Sequence, residues 1–136
     1  MTRKRKFDPV AHRHLTHVTA FHPELTRALA TVGATVHVPQ GWSIMVEKRP
    51  ADSVYVLLDG DVEIRKAGEV LRTLGPGDMI GEIALLSHTL RSASVIALTD
   101  VTALRVEDSA VRALSDMDPR FAEALRSTAE RRLQPS

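Results

Sequence analysis

Cysteine is absent from these 136 residues. That excludes a disulfide frame, thiolate chemistry and any cysteine-based zinc site. Long apolar runs are missing as well, and none approaches the ~20 residues that a membrane span needs. One-sided charge is lacking: 18 Lys and Arg stand against 17 Asp and Glu. Such a balance disfavours a nucleic-acid binder or a surface built to seek acids. The basic start MTRKRK runs into FDPVAHRHL rather than into an apolar core, so it does not read as a secretory signal. The default expectation is a cytoplasmic protein. Length and composition are those of one globular domain with a real core.

Three zones follow from the pattern that is present. The first, residues 1–33, carries helical signals. Asp8-Pro9 has the form of an N-cap followed by proline at the first helical position. HPELTRALATVG has Pro23 and Glu24 early, Gly33 as a stop, and Leu25, Ala28, Leu29 and Val32 on one face. Residues 34–107 change to a period of two. Turn signals at Asp59-Gly60, Ala67-Gly68 and Gly75-Pro76-Gly77-Asp78 separate short strands. Val62 and Ile64 alternate with Glu63 and Arg65, as in a strand with one wet face. Residues 108–133 return to helix. Asp108 is expected to cap the first of two segments, with Val111 and Leu114 inward; Asp118-Pro119 opens the second, with Phe121, Leu125 and Ala129 on one face. The expected fold is mainly β, a barrel or sandwich of short strands flanked by helices at both ends.

One stretch breaks the strand pattern. IGEIALLSHTLRSASV, residues 80–95, sets Glu82 in an apolar run and Arg91 nine residues later. Ile83 to Leu86 do not alternate, which suits a short helix inserted between two strands. The N–H groups at its start, with a guanidinium alongside, suit phosphate; a carboxylate suits ribose hydroxyls. Gly81 would let the backbone approach a ligand closely. The bland alternative is a structural ion pair between Glu82 and Arg91. A buried pair is weak evidence for stability, since desolvation can cancel the Coulomb gain.

The segment resembles the phosphate-binding cassette of the cyclic nucleotide-binding domain, a family shared by catabolite activators, protein kinase regulatory subunits and cyclic nucleotide-gated channels. Gly81, Glu82, Ile83, Ala84 and Leu85, then Arg91, Ser92 and Ala93, follow that family's pattern. Upstream, Gly41, Ala51-Asp52-Ser53, Tyr55 and Gly60 are similar to the family too, and the likeness covers roughly residues 34–116. Ile80 stands where an aromatic is usual and Leu90 where proline is usual.

The resemblance implies a double-stranded β-helix, a jelly-roll-like β-roll spanning residues 34–107 with its cassette at 80–93. It implies a ligand set of Gly81, Glu82, Ile83, Ala84, Arg91, Ser92 and Ala93. Glu82 and the Gly81 backbone would hold the ribose 2′-hydroxyl. Arg91, with the N–H groups of Ala84 and Ser92, would hold the cyclic phosphate. The ligand implied is cAMP, with cGMP as the alternative and no metal. Catabolite activators continue into a helix-turn-helix, and this sequence stops at Ser136. The expectation is therefore a free-standing sensor without a DNA-binding domain, acting through a protein partner or self-association. The runner-up is an interaction module on the same fold whose pocket is unused.

Other features read as structural. His12, His14 and His17 lack a further ligand at metal-binding spacing, and His37 has no partner pattern. RKRK at residues 3–6 and ERR at 130–132 read as solvated charge. Trp42 and Tyr55 are expected to pack in the barrel. No nucleophile elbow or paired carboxylate points to an enzyme.

Overall fold

The computed structural model describes residues 6–87 and 89–133; the side chains of Ile83, Leu86, Ser87 and residues 128–133 are outside that description. The expectations for Ile83 and Ala129 as side chains, for ERR and for residues 3–5 of RKRK therefore lie outside the described residues.

Helix α1 spans Pro9–Val18. The Asp8 carboxylate accepts from the N–H of Val10 at 2.9 Å and of Ala11 at 3.1 Å, so the acid caps the helix and Pro9 takes the first turn. Ala11 and Leu15, four apart, form its buried stripe. Helix α2 spans Pro23–Val32 and is capped by His22, whose Nδ1 accepts from the N–H of Glu24 at 3.2 Å. It ends at Gly33, whose φ of −80° any residue could adopt. Glycine is needed there for space: a Cβ would lie 2.6 Å from Leu104 Cγ.

The strands are β1 Ala34–Val38, β2 Ser43–Met45, β3 Ser53–Asp59, β4 Val62–Lys66, β5 Glu69–Leu74, β6 Met79–Ile80, β7 Ser94–Ala97 and β8 Val101–Glu107. They form two four-stranded antiparallel sheets, β1-β8-β3-β6 and β2-β7-β4-β5. Helix α3, Glu82–Ser87, is inserted between β6 and β7; α4, Asp108–Met117, and α5, Pro119–Leu133, follow β8. This is the mainly β architecture with flanking helices expected from the sequence, a β-roll.

Strand β3 explains why SVYVLLD barely alternates. Val54, Val56 and Leu58 join a cluster with the helices that includes Leu15, Leu29, Leu85, Phe121 and Leu125. Leu57 and the half-buried Tyr55 face the other way, into a cluster with Val62, Ile80, Val95 and Val101. Strand β8 divides in the same manner, Leu104 and Val106 to the helices, Val101 and Ala103 to the second sheet. Strands β3 and β8 of the first sheet thus form a middle layer that packs on both faces, and burial on both faces removes the polar half of the β3 pattern.

Two turns differ in how closely they are held. At Gly77, φ +90°, a Cβ would strike the carbonyl of Val18 at the end of α1. At Gly68, in the β4–β5 turn, a Cβ would meet nothing within 4 Å.

Two expectations fail here. Trp42 does not pack in the barrel; it is 67% exposed. Its N–H donates to Pro39 and its carbonyl accepts from Ala97, so the main chain is held while the indole projects outward. Asp108 does not cap α4. Glu107 occupies the cap position with no side-chain bond to the cap N–H groups, its carboxylate meeting Arg105 instead, and the Asp108 carboxylate turns to Arg112, one turn along.

Candidate functional site

Three elements bring the cassette together. Strand β6 pairs with β3 at Tyr55–Ile80 and delivers the chain to Gly81. Gly81 has φ +90°, a left-handed bend that glycine adopts without strain. Helix α3 starts at the next residue, Glu82, which is fully buried at 0% exposure. Ala84 is buried, and its carbonyl accepts from the Thr89 N–H at 3.0 Å, closing the turn after the helix. The chain then returns to Arg91, whose N–H donates to Arg49 and whose carbonyl accepts from Lys48, both at 2.8 Å. Ser92 is exposed and Ala93 half-buried against the core between the sheets. Glu82 and Arg91, nine residues apart in sequence, therefore lie together beside the Gly81 bend.

The guanidinium of Arg91 is 6% exposed. Its Nη1 donates to the Gly81 carbonyl at 2.9 Å and its Nη2 to the Ser53 carbonyl at 2.7 Å. A Cβ on Gly81 would lie 2.6 Å from Nη1 and would also press on Met45 Cε. Gly81 thus makes room for the arginine itself, a role that the sequence reading assigned only to an approaching ligand. Desolvation pushes the Arg91 pKa below its ordinary value, against the pull of Asp52, Tyr55 and Glu82, while Arg105 pushes the same way as burial. Lowering dominates, as burial always penalises the charged form.

A second layer surrounds Arg91. Asp52 Oδ1 is 3.9 Å from Arg91 Nη2, and Asp52 Oδ2 is 3.3 Å from Arg105 Nη2. Arg105 also reaches Glu107 at 3.2 Å. Desolvation opposes the charge of Arg105, but hydrogen bonding to Tyr55 and Glu107 and the Asp52 carboxylate carry its pKa upward overall. The Asp52 carbonyl accepts from the Asp108 N–H at 2.9 Å, which ties this cluster to the first residue of α4. Sequence reading missed Arg105 as part of the site. It lies on β8, opposite Tyr55 of β3, and only the sheet register brings it there.

Helix α3 packs against α5, with Leu85 in the same cluster as Phe121 and Leu125. A cavity of about 240 Å³ opens beside the cassette, bordered by Ala51, Ala84, Leu85, Leu90 and Asp108. His37 bonds Thr102 at 3.2 Å, and among the described residues no group of three or more His, Asp and Glu is placed to hold a metal. No helix among them is long and apolar enough to cross a membrane.

Together these elements set an inserted helix between the strands of a β-roll, opened by a glycine bend and flanked by a buried acid and a buried arginine. The family model described as "Cyclic nucleotide-binding domain" matches residues 35–118, and the chain belongs to that family. It is 30% identical over 117 residues to a CRP-like cAMP-activated global transcriptional regulator of Mycobacterium tuberculosis, covering 82% of this chain and 52% of that one. The catabolite activator protein of Thermus thermophilus superposes with a TM-score of 0.75 at 31% identity, over 88% of this chain and 58% of the other. The regulatory subunit of a cAMP-independent protein kinase A from Trypanosoma brucei shares the fold, with a TM-score of 0.79 at 20% identity over 93% and 46% of the two chains. The chain spans about half the length of the regulator it matches.

Proposed function

We propose that this chain senses a cyclic nucleotide, cAMP in the first instance, at the cassette of residues 80–93, and passes occupancy to its C-terminal helices. The observation that carries this reading is the buried guanidinium of Arg91, held by two neutral carbonyls at Gly81 and Ser53. Phosphate oxygens are stronger, charge-assisted acceptors than carbonyls and fit the arginine fork bidentately. A cyclic phosphate would take over these donors, and Glu82 would receive the ribose hydroxyl. The Mycobacterium tuberculosis regulator, cAMP-activated by its description, supports cAMP as the first ligand to try.

Exchange of the carbonyls for phosphate shifts the Gly81 bend and so the start of α3. Leu85 carries that shift to Phe121 and Leu125 on α5. The ligand moves this equilibrium only by its differential affinity for the two arrangements. The receiver of the signal is a protein partner or a second copy. The role is binding, not catalysis.

A second reading rests on the same arginine. Its donors are already engaged by the protein's own carbonyls, which suits an interaction module whose pocket stays unused. Isothermal titration with cAMP and with cGMP separates the two. Saturable heat that disappears in Arg91→Ala supports the sensor. No heat with either nucleotide, from protein shown to be folded, leaves the interaction module.

A further inference from the structure

The N-terminal helices carry a second feature, away from the cassette. A groove of about 670 Å³ runs along α1 and reaches α2, and Phe7, His12, Arg13, His17 and Arg27 line it. Phe7 is 37% exposed, the Arg27 guanidinium lies 4.9 Å from its ring centroid, and the His12 ring lies 5.4 Å away. Arg13 and His17, four residues apart, stand on one side of α1. None of the residues lining the groove is acidic. The neighbouring acid, Asp8, has its carboxylate turned to the N–H groups of Val10 and Ala11. Glu24, on α2, reaches Arg120 at 3.5 Å instead.

We infer that this groove docks an acidic peptide segment of a partner protein, with carboxylates on Arg13, His17 and Arg27 and an apolar side chain on Phe7. Charge complementarity selects this occupant. Arg27 and His12 lie against the Phe7 ring, while Arg13 and His17 sit one turn apart on α1, so the basic groups extend past a single point and a chain of carboxylates satisfies more of them than one small anion. The net charge of the whole protein is only +1, so no overall positive field favours a long polyanion. The exposed ring, already stacked by a guanidinium, offers apolar contact that a bare phosphate backbone would not use.

The test uses the full chain and a fluorescein-labelled peptide of glutamates around a single phenylalanine. At low ionic strength, anisotropy should show saturable binding, weakened about tenfold or more by Arg13→Glu or Arg27→Glu. Amide shift changes should map to residues 7–17 and Arg27. Arg13→Glu alters an exposed side chain, so it reports even if Arg27→Glu disturbs folding. Equal binding by the charge-reversed variants, shift changes centred on Arg91 and Arg105, or equal binding of a lysine peptide overturns the inference. So does tighter binding at the same residues by an oligonucleotide of equal charge.

Discussion

The Nη1 of Arg91 donates to the carbonyl of Gly81, ten residues earlier, at 2.9 Å, and the lack of a side chain on Gly81 is what admits it. The same contact holds the guanidinium away from water and fixes the bend from which α3 starts. Under the proposed function, binding and local stability are coupled at this pair.

Arg91→Ala should lose both. It removes the donors to Gly81 and Ser53, charge-assisted bonds worth roughly 1.5–3 kcal/mol each when buried. Nucleotide affinity should fall about a hundredfold, and urea denaturation should show lower stability with an unchanged slope. Arg91→Lys retains a charge but not the fork, so it should recover stability in part and affinity little. Full affinity in the lysine variant would contradict bidentate recognition.

Gly81→Ala combines a left-handed φ with a Cβ that meets Arg91 and Met45. A cost of about 1–3 kcal/mol is expected from the backbone alone. Thermal unfolding measures that cost, and titration should show weakened nucleotide binding even at temperatures where the variant is folded.

Leu125→Ala separates reception from output. Leu125 is 1% exposed in the cluster that joins Leu85 to the helices. Its truncation should cost about 2–5 kcal/mol. In folded protein, nucleotide should still protect cassette amides from hydrogen exchange, while α5 amides no longer respond. Undiminished protection of α5 would place the route elsewhere.

Acid should loosen the α4–α5 junction. Asp118 accepts from the Arg120 side chain and N–H, at 2.9 Å each, and the side-chain bond is the main cause holding its carboxyl below the ordinary range. A depressed carboxyl contributes stability above its unfolded value, lost as pH falls through the folded one. The loss should begin below about pH 4. Helicity followed by circular dichroism should show a step there that Asp118→Asn lacks.

The single tryptophan gives a simple check on the fold. Trp42 is 67% exposed, so its emission should be that of a solvated indole, freely quenched by acrylamide. A blue-shifted, protected emission would mean that this face is covered.

Much of this architecture was legible in sequence because period and punctuation agree. Helix α1 begins where Asp8-Pro9 says it should, and β4 alternates as written. Gly81, Glu82 and Arg91, three of the residues that the family likeness singled out, lie together because Gly81 and Arg91 flank one short insertion. What sequence could not give are features set by neighbours distant in the chain. Arg105 joins Asp52 only through the register of β3 with β8. Trp42 is apolar by type, yet its position after a Pro-Gln-Gly turn leaves its side chain outside both layers. Asp108 has the chemistry of a cap but not the position, because Glu107 belongs to both β8 and the start of α4.

The contrast between the Gly68 and Gly77 turns sets where this protein tolerates added chain. Space around Gly68 is open, so a reporter peptide or a fluorescent label spliced into the β4–β5 turn has somewhere to go. The same graft at Gly77 would drive into the end of α1 and lever the first helix off the strands.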